Sequence, residues 1–145
     1  MIYFKFNGEP VGKGRPRVTA RGGKFAHAYT PKKTKDYEDS IRFEFMANCC
    51  EKMPVFTKDI PLKIEMTFAF SIPKSYSKKK HEECLLGLVQ HTKKPDADNC
   101  AKAVADALEG YAYESDAQIT VWQLEKIYSE EPYVEVKIHP RDWGE

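Results

Sequence analysis

The residues best suited to chemistry in this chain are Asp96, Asp98, Lys102 and Asp116, which fall within one short span. The first two sit in Lys94-Pro95-Asp96-Ala97-Asp98-Asn99, and the last closes Glu114-Ser115-Asp116. Proline pushes its neighbours toward extended backbone. In extended chain, residues two apart project to the same side, about 6–7 Å apart, so Asp96 and Asp98 can aim at one point. A helix is expected from Asn99 to Glu109, with Gly110 as its stop, and Asp116 can then return to the same end at the start of the next strand. Three carboxylates converging in this way suit a hard cation with oxygen ligands, magnesium or manganese. Lys102 lies one helical turn after Asp98, opposite Val104 and Leu108. There it can bind a phosphate or stabilise charge that builds on one. Asp106 continues this polar line a further turn away and reads as structural.

Each residue also has a plainer explanation. Asp98 is at a position where helix capping alone would account for it. Asp96 and Asp116 could be turn residues beside Pro95 and Ser115, and Lys102 could be a solvated helix residue. The distribution of charge bears on the choice. Net charge is only +1, yet no acid occurs between Glu9 and Asp36, where Lys13, Arg15, Arg17, Arg21, Lys24, Lys32, Lys33 and Lys35 all fall. A near-neutral chain with its charges sorted into blocks can still present a positive face. The length and arginine content of this block favour a polyanion site, with Lys13, Arg15, Arg17, Lys32 and Lys33 as candidate DNA contacts. A second block, Lys74, Lys78, Lys79, Lys80, Lys93 and Lys94, fits a polyanion contact and a solubilised loop equally well. Acids beside basic blocks are what phosphodiester cleavage needs: metal at the phosphate, cations along the backbone.

The elements that must position these residues can be read from periodicity. Ile2, Phe4 and Phe6 alternate with polar neighbours, a half-buried strand. Residues 8–29 contain Gly12-Lys13-Gly14-Arg15-Pro16-Arg17 and Gly22-Gly23, giving a long basic loop or an irregular hairpin. Thr30-Pro31 is a helix start. Tyr37, Ile41, Phe45 and Cys49 then form an apolar stripe on a helix of about five turns ending near Met53. Leu62, Ile64, Met66, Phe68 and Phe70 mark the clearest strand, and a short helix is expected between Ser77 and Gly87. Ala101, Val104, Ala105 and Leu108 supply the apolar face of the helix after Asp98. Residues 117–128 and 133–139 read as strands. The order β-α-β-α-α-β-β implies an α+β (mixed α/β) fold: a single domain over residues 1–145 with one mixed β-sheet and helices packed on it.

Length and composition agree with this. The chain has 145 residues, 41% hydrophobic and 31% charged, an ordinary globular balance. No apolar run approaches a membrane span, and the first residues lack a signal peptide's layout, so no membrane partner and a cytoplasmic location are expected. Cys49, Cys50, Cys84 and Cys100 form no C-x-x-C pair, which suits neither a disulfide framework nor a regular zinc site. His81, Cys84 and His91 could be gathered into a metal cluster, but their spacing is irregular for one. Reduced, half-buried thiols are the better reading.

The stretch KPDADNCAKAVADALEGYAYESDAQI resembles the core signature of the RusA-like Holliday junction resolvases. That signature is an Asp-x-Asp-Asn opening a helix, a Lys four residues after the second Asp, an Asp-Ala-Leu near the helix end, then Asp-Ala-Gln. GKGRPRV, YTPKKTKDYE and the closing PYVEVKI are similar to the family's first and last segments. The resemblance implies a magnesium-dependent endonuclease acting on four-way DNA junctions as a homodimer. It implies Asp96, Asp98 and Asp116 as ligands to Mg2+ (Mn2+ as substitute) and Lys102 as a catalytic phosphate or transition-state partner. Many relatives carry two adjacent acids before the Ala-Gln, whereas Ser115 precedes Asp116 here. Two other readings stand beside this one: a DNA-binding protein without catalysis, and a nuclease for flaps or forks.

Overall fold

The computed structural model describes residues 1–14, 17–21, 25–29 and 32–141, with only the backbone described for the two segments between 17 and 29. Strand β1 (Ile2–Asn7) is followed by the hairpin strands β2 (Arg17–Arg21) and β3 (Phe25–Tyr29) and by helix α1 (Lys32–Asn48). Then come β4 (Leu62–Ser71), α2 (Lys78–Leu85), α3 (Ala97–Leu108), a 3-10 turn (Asp116–Gln118), β5 (Ile119–Ser129) and β6 (Tyr133–Pro140). Four strands form one mixed sheet in the order β1-β6-β4-β5, and β2 pairs with β3 in a separate two-stranded ribbon. This is the expected α+β arrangement. Of the two options open for residues 8–29, the hairpin is the one observed.

β4 and β5 run parallel, with Ile64 opposite Trp122 and Phe70 opposite Tyr128. A parallel pair needs a long crossover, and here α2 and α3 make it. Leu62, Ile64, Met66, Phe68 and Phe70 face inward from β4, meeting Val134, Val136 and Ile138 of β6, Ile41 and Phe45 of α1, and Cys100, Val104 and Leu108 of α3. Burying a side chain of this kind stabilises the fold by roughly 1.5–3 kcal/mol. The opposite face of the sheet carries Glu65, Thr67, Gln123, Glu125, Glu135 and Lys137 and stays polar. The helices therefore cover one face only, and α1 and α3 lie together on it.

Two helix boundaries differ from expectation. α1 ends at Asn48 rather than near Met53, while its proposed start at Thr30-Pro31 lies outside the described residues. α3 begins two residues early: Asp96 is the N-cap, with extended backbone (φ −69°, ψ 151°), and Asp98 lies in the first helical turn. Ala97 is a strong helix former and continues the turn instead of extending the strand-like segment. At the other end the chain reverses at Gly110, whose φ of +87° is the left-handed conformation that glycine adopts without cost.

Candidate active site

The site lies where the polar edge of α3 meets the 3-10 turn that follows it. Asp98, Lys102, Asp106 and Glu109 recur at helical spacing along that edge. Beyond Gly110 the chain is pinned back onto the helix. The Gly110 N–H donates to the Tyr113 carbonyl at 2.7 Å, and the buried Tyr113 hydroxyl donates to the Ala105 carbonyl at 2.6 Å. Ser115 then caps the 3-10 turn, its hydroxyl accepting from the Ala117 N–H at 3.2 Å. Gln118 locks the turn from below. Its side-chain oxygen accepts from the Glu114 and Ser115 N–H groups at 2.9 and 3.0 Å, and its amide donates to the carbonyls of Thr57 and Ile60 at 2.8 and 3.1 Å. Every polar group of this buried side chain is used, so Asp116, two residues before it, is held on a fixed support.

From that support Asp116 Oδ2 lies 3.5 Å from Lys102 Nζ. Lys102 also pairs with Asp106 Oδ1 at 2.9 Å. Its hydrogen bond to Asp106 is the main reason its pKa lies above the ordinary lysine value, with burial opposing and Asp116 contributing further. The ammonium is thus charged and aimed. Asp106, Glu109 and Asp116 offer three carboxylate oxygens within 4.8 Å of one another, a donor set of the kind hard cations take.

The sequence-derived residues are therefore brought together in part. Lys102 meets Asp116 as expected. Asp96 and Asp98 are both exposed at the start of α3, and among the described residues neither belongs to a carboxylate trio as close as that of Asp106, Glu109 and Asp116. Because Asp98 is helical, the two do not share a side of an extended segment; the early helix start removes that geometry. Asp98 is also not the capping residue, and the side chain of Asp96, which holds the N-cap position, makes no capping hydrogen bond. The capping explanation thus accounts for neither carboxylate. Asp106, expected a further turn from the cluster as a structural residue, lies nearer than that: it contacts Lys102 directly and stands in the close trio with Asp116. The Lys102–Asp106 spacing of one helical turn was the signal for it.

Of the candidate DNA contacts, Lys32 and Lys33 are exposed at the start of α1. Arg15 lies outside the described residues, as does the side chain of Arg17. Lys13 turns inward, pairing with Glu38 and with Asp106 Oδ2 at 3.0 Å. In the second basic block, Lys80 and Lys93 lie 3.9 and 5.5 Å from the centroid of the Tyr76 ring. Lys126 donates to the carbonyls of Lys93 and Pro95 at 2.7 and 3.0 Å, fixing the strap that leads into Asp96. Sequence reading missed Lys126, because strand β5 gives no cue that its ammonium points at that strap.

The cysteines are all free thiols. Cys84 and Cys100 are buried rather than half-buried, and burial pushes the Cys100 thiol up to about 11. His81 pairs with Glu130 at 2.6 Å and His91 stacks on Phe70 at 3.8 Å. Among the described residues, these histidines and Cys84 form no metal cluster.

Residues 7–139 match the family described as Endodeoxyribonuclease RusA. The chain is also similar to the uncharacterized protein YqaN of Bacillus subtilis (strain 168), 37% identical over 137 residues, covering 94% of each chain.

Proposed function

Because the chain belongs to the RusA endodeoxyribonuclease family, we propose that it is a magnesium-dependent enzyme that resolves four-way DNA junctions by paired hydrolysis of phosphodiester bonds. One observation carries the reading: a rigidly supported carboxylate, Asp116, beside a charged lysine on a surface where further acids stand within ligand distance. Asp96, Asp98 and Asp116 are the proposed ligands, with Mn2+ as a substitute for Mg2+. Asp116 is common to this set and to the close trio with Asp106 and Glu109. When bound, magnesium would supply Lewis acidity toward the phosphate and toward the attacking water.

The chain's own residues supply the rest. Lys102 presents a fixed positive charge to the scissile phosphate and to the charge that develops on it. Asp106 orients Lys102. Lys32, Lys33, Arg15 and Arg17 neutralise backbone phosphates flanking the cut, and their contribution is independent of base sequence. The products are a 5′-phosphate and a 3′-hydroxyl. A four-way junction has near two-fold symmetry and needs two opposed nicks, which a C2 homodimer with one site per protomer would deliver. Work of this kind belongs to DNA recombination and repair in the cytoplasm, and no described helix is long and apolar enough to cross a membrane.

The test is incubation with a mobile four-way junction, a flap, a fork and linear duplex, with and without magnesium. Paired nicks in the junction alone, and only with magnesium, are expected. Binding without nicking would assign the chain to non-catalytic DNA recognition. Equal cleavage of flaps and forks would make it a nuclease of broader structural tolerance.

A further inference from the structure

Lys13 differs from the other basic residues of its block. Its N–H donates to the Asn99 carbonyl at 3.1 Å, and the next N–H, from Gly14, donates to Thr34 Oγ1 at 3.0 Å. Gly12 lies so close to α3 that a β-carbon there would stand 2.7 Å from Asn99 Nδ2 and 2.9 Å from Pro95 Cβ. The segment is thus laid tightly across the start of α3, and the Lys13 side chain runs inward from it. That side chain is 19% exposed, against 55% for Lys102. Burial disfavours its charge, but hydrogen bonds to Glu38 and Asp106 outweigh this and raise its pKa. To reach a phosphate it would have to abandon Glu38, whose side chain is only 9% exposed.

The same ammonium begins a chain of ion pairs leading outward. Lys13 holds Asp106 by Oδ2 at 3.0 Å, Asp106 holds Lys102 by Oδ1 at 2.9 Å, and Lys102 reaches Asp116 at 3.5 Å. Without Lys13, Asp106 would keep one cation instead of two and draw Lys102 toward itself. Glu38 would retain Arg42 at 3.6 Å.

We infer that Lys13 is a positioning residue that acts through Asp106 to set where the Lys102 ammonium sits, and that it does not contact DNA. Its catalytic consequence rests on the nuclease reading above; its geometric consequence does not. The experiment compares wild type with Lys13→Met, Asp106→Asn and the double variant. For Lys13→Met, junction affinity without divalent metal and its salt slope should match wild type. Single-turnover cleavage of pre-bound junction should fall about 10- to 100-fold, the scale of a small misplacement of a reacting group. The double variant should be no slower than the slower single variant, since both changes break one linkage. The Lys102 side-chain ammonium resonance should shift in Lys13→Met, a readout that needs no activity. A salt slope smaller by about one unit with wild-type single-turnover cleavage would make Lys13 a phosphate contact and overturn the inference. An unmoved Lys102 resonance would overturn it too. If the wild-type protein nicks no junction, the nuclease reading fails by itself and the resonance still decides. If Lys13→Met does not fold, Lys13→Arg takes its place: it keeps the charge but changes reach, and should shift the same resonance and slow the same step.

Discussion

Asp116 comes back across the turn at Gly110 to lie 3.5 Å from Lys102. The pair joins a helix to the turn before the edge strand β5, so the site is held by tertiary structure and not by one local motif. The carboxylate is 35% exposed and the ammonium 55%. An ion pair so open contributes little to stability, on the order of 0–1 kcal/mol. The proposed role of the pair therefore lies in the site, where Asp116 would hold the metal and Lys102 would meet the phosphate.

Replacing the acids tests the ligand set. Asp96→Asn, Asp98→Asn and Asp116→Asn should each abolish cleavage while junction binding survives or tightens. Each change removes a negative ligand, and each also removes repulsion toward DNA phosphates. Glu109→Gln is the discriminating control, because Glu109 stands in the close trio while Asp96 and Asp98 do not. Near-normal turnover in any of the three Asn variants would remove that residue from the set. Loss of activity in Glu109→Gln with Asp96→Asn active would move the ion to the trio.

Lys102 can be separated from a solvated helix residue by where its loss is felt. Lys102→Ala should leave folding nearly unchanged, within about 0.5 kcal/mol. Single-turnover cleavage should fall on the order of 10²- to 10³-fold, as for other preorganised donors. Lys102→Arg should retain part of the rate, since it keeps charge while altering reach. A wild-type rate for the alanine variant on pre-bound junction would take Lys102 out of the mechanism.

Salt dependence tests the basic block. Lys32→Gln, Lys33→Gln, Arg15→Gln and Arg17→Gln should each weaken junction binding and flatten the slope of log K against log salt by about 0.7–0.9 unit. Lys32 and Lys33 are exposed at the start of α1, where a phosphate can reach them. Unchanged slopes would make the block a solubilising one.

Much of this was legible in the sequence. The strict alternation from Leu62 to Phe70 fixes β4, and the stripe Tyr37, Ile41, Phe45 fixes the buried face of α1, with Ile41 and Phe45 fully enclosed. The approach of Asp116 to Lys102 was legible because the turn at Gly110 sends the chain back toward the helix. The parallel pairing of β4 with β5 was not, since pairing partners leave no mark on periodicity. Of the Asp106 contacts only the one to Lys102, one helical turn away, was legible. Its second cation, Lys13, arrives from the far N-terminal segment, and no local pattern announces a contact made across such a separation. The start of α3 was misplaced because both Asp96 and Asp98 are good capping types, and the backbone of Asp96 decides between them.

Gln118 appears in the sequence only as the end of Asp-Ala-Gln. It is 7% exposed and makes hydrogen bonds to four backbone groups on two segments. Gln118→Ala would leave the N–H groups of Glu114 and Ser115 and the carbonyls of Thr57 and Ile60 without these partners. A buried polar group left unsatisfied costs about 1–3 kcal/mol, partly recovered where water enters. Two such losses in full give a destabilisation of about 2–6 kcal/mol. For a chain of this size that corresponds to a melting temperature lower by roughly 5–25 °C. The effect should not stop at stability. Asp116 is carried by the 3-10 turn that Gln118 anchors, so at temperatures where the variant is fully folded, single-turnover cleavage should still fall by about 10-fold or more. Gln118→Glu sharpens the comparison: it keeps the shape and the two acceptances but loses both donations and brings a charge into a buried position. Its melting temperature should drop at least as far. If thermal unfolding shows either variant as stable as wild type, Gln118 is not the anchor of this turn, and the rigidity of Asp116 must come from Tyr113, Gly110 and the Ser115 cap.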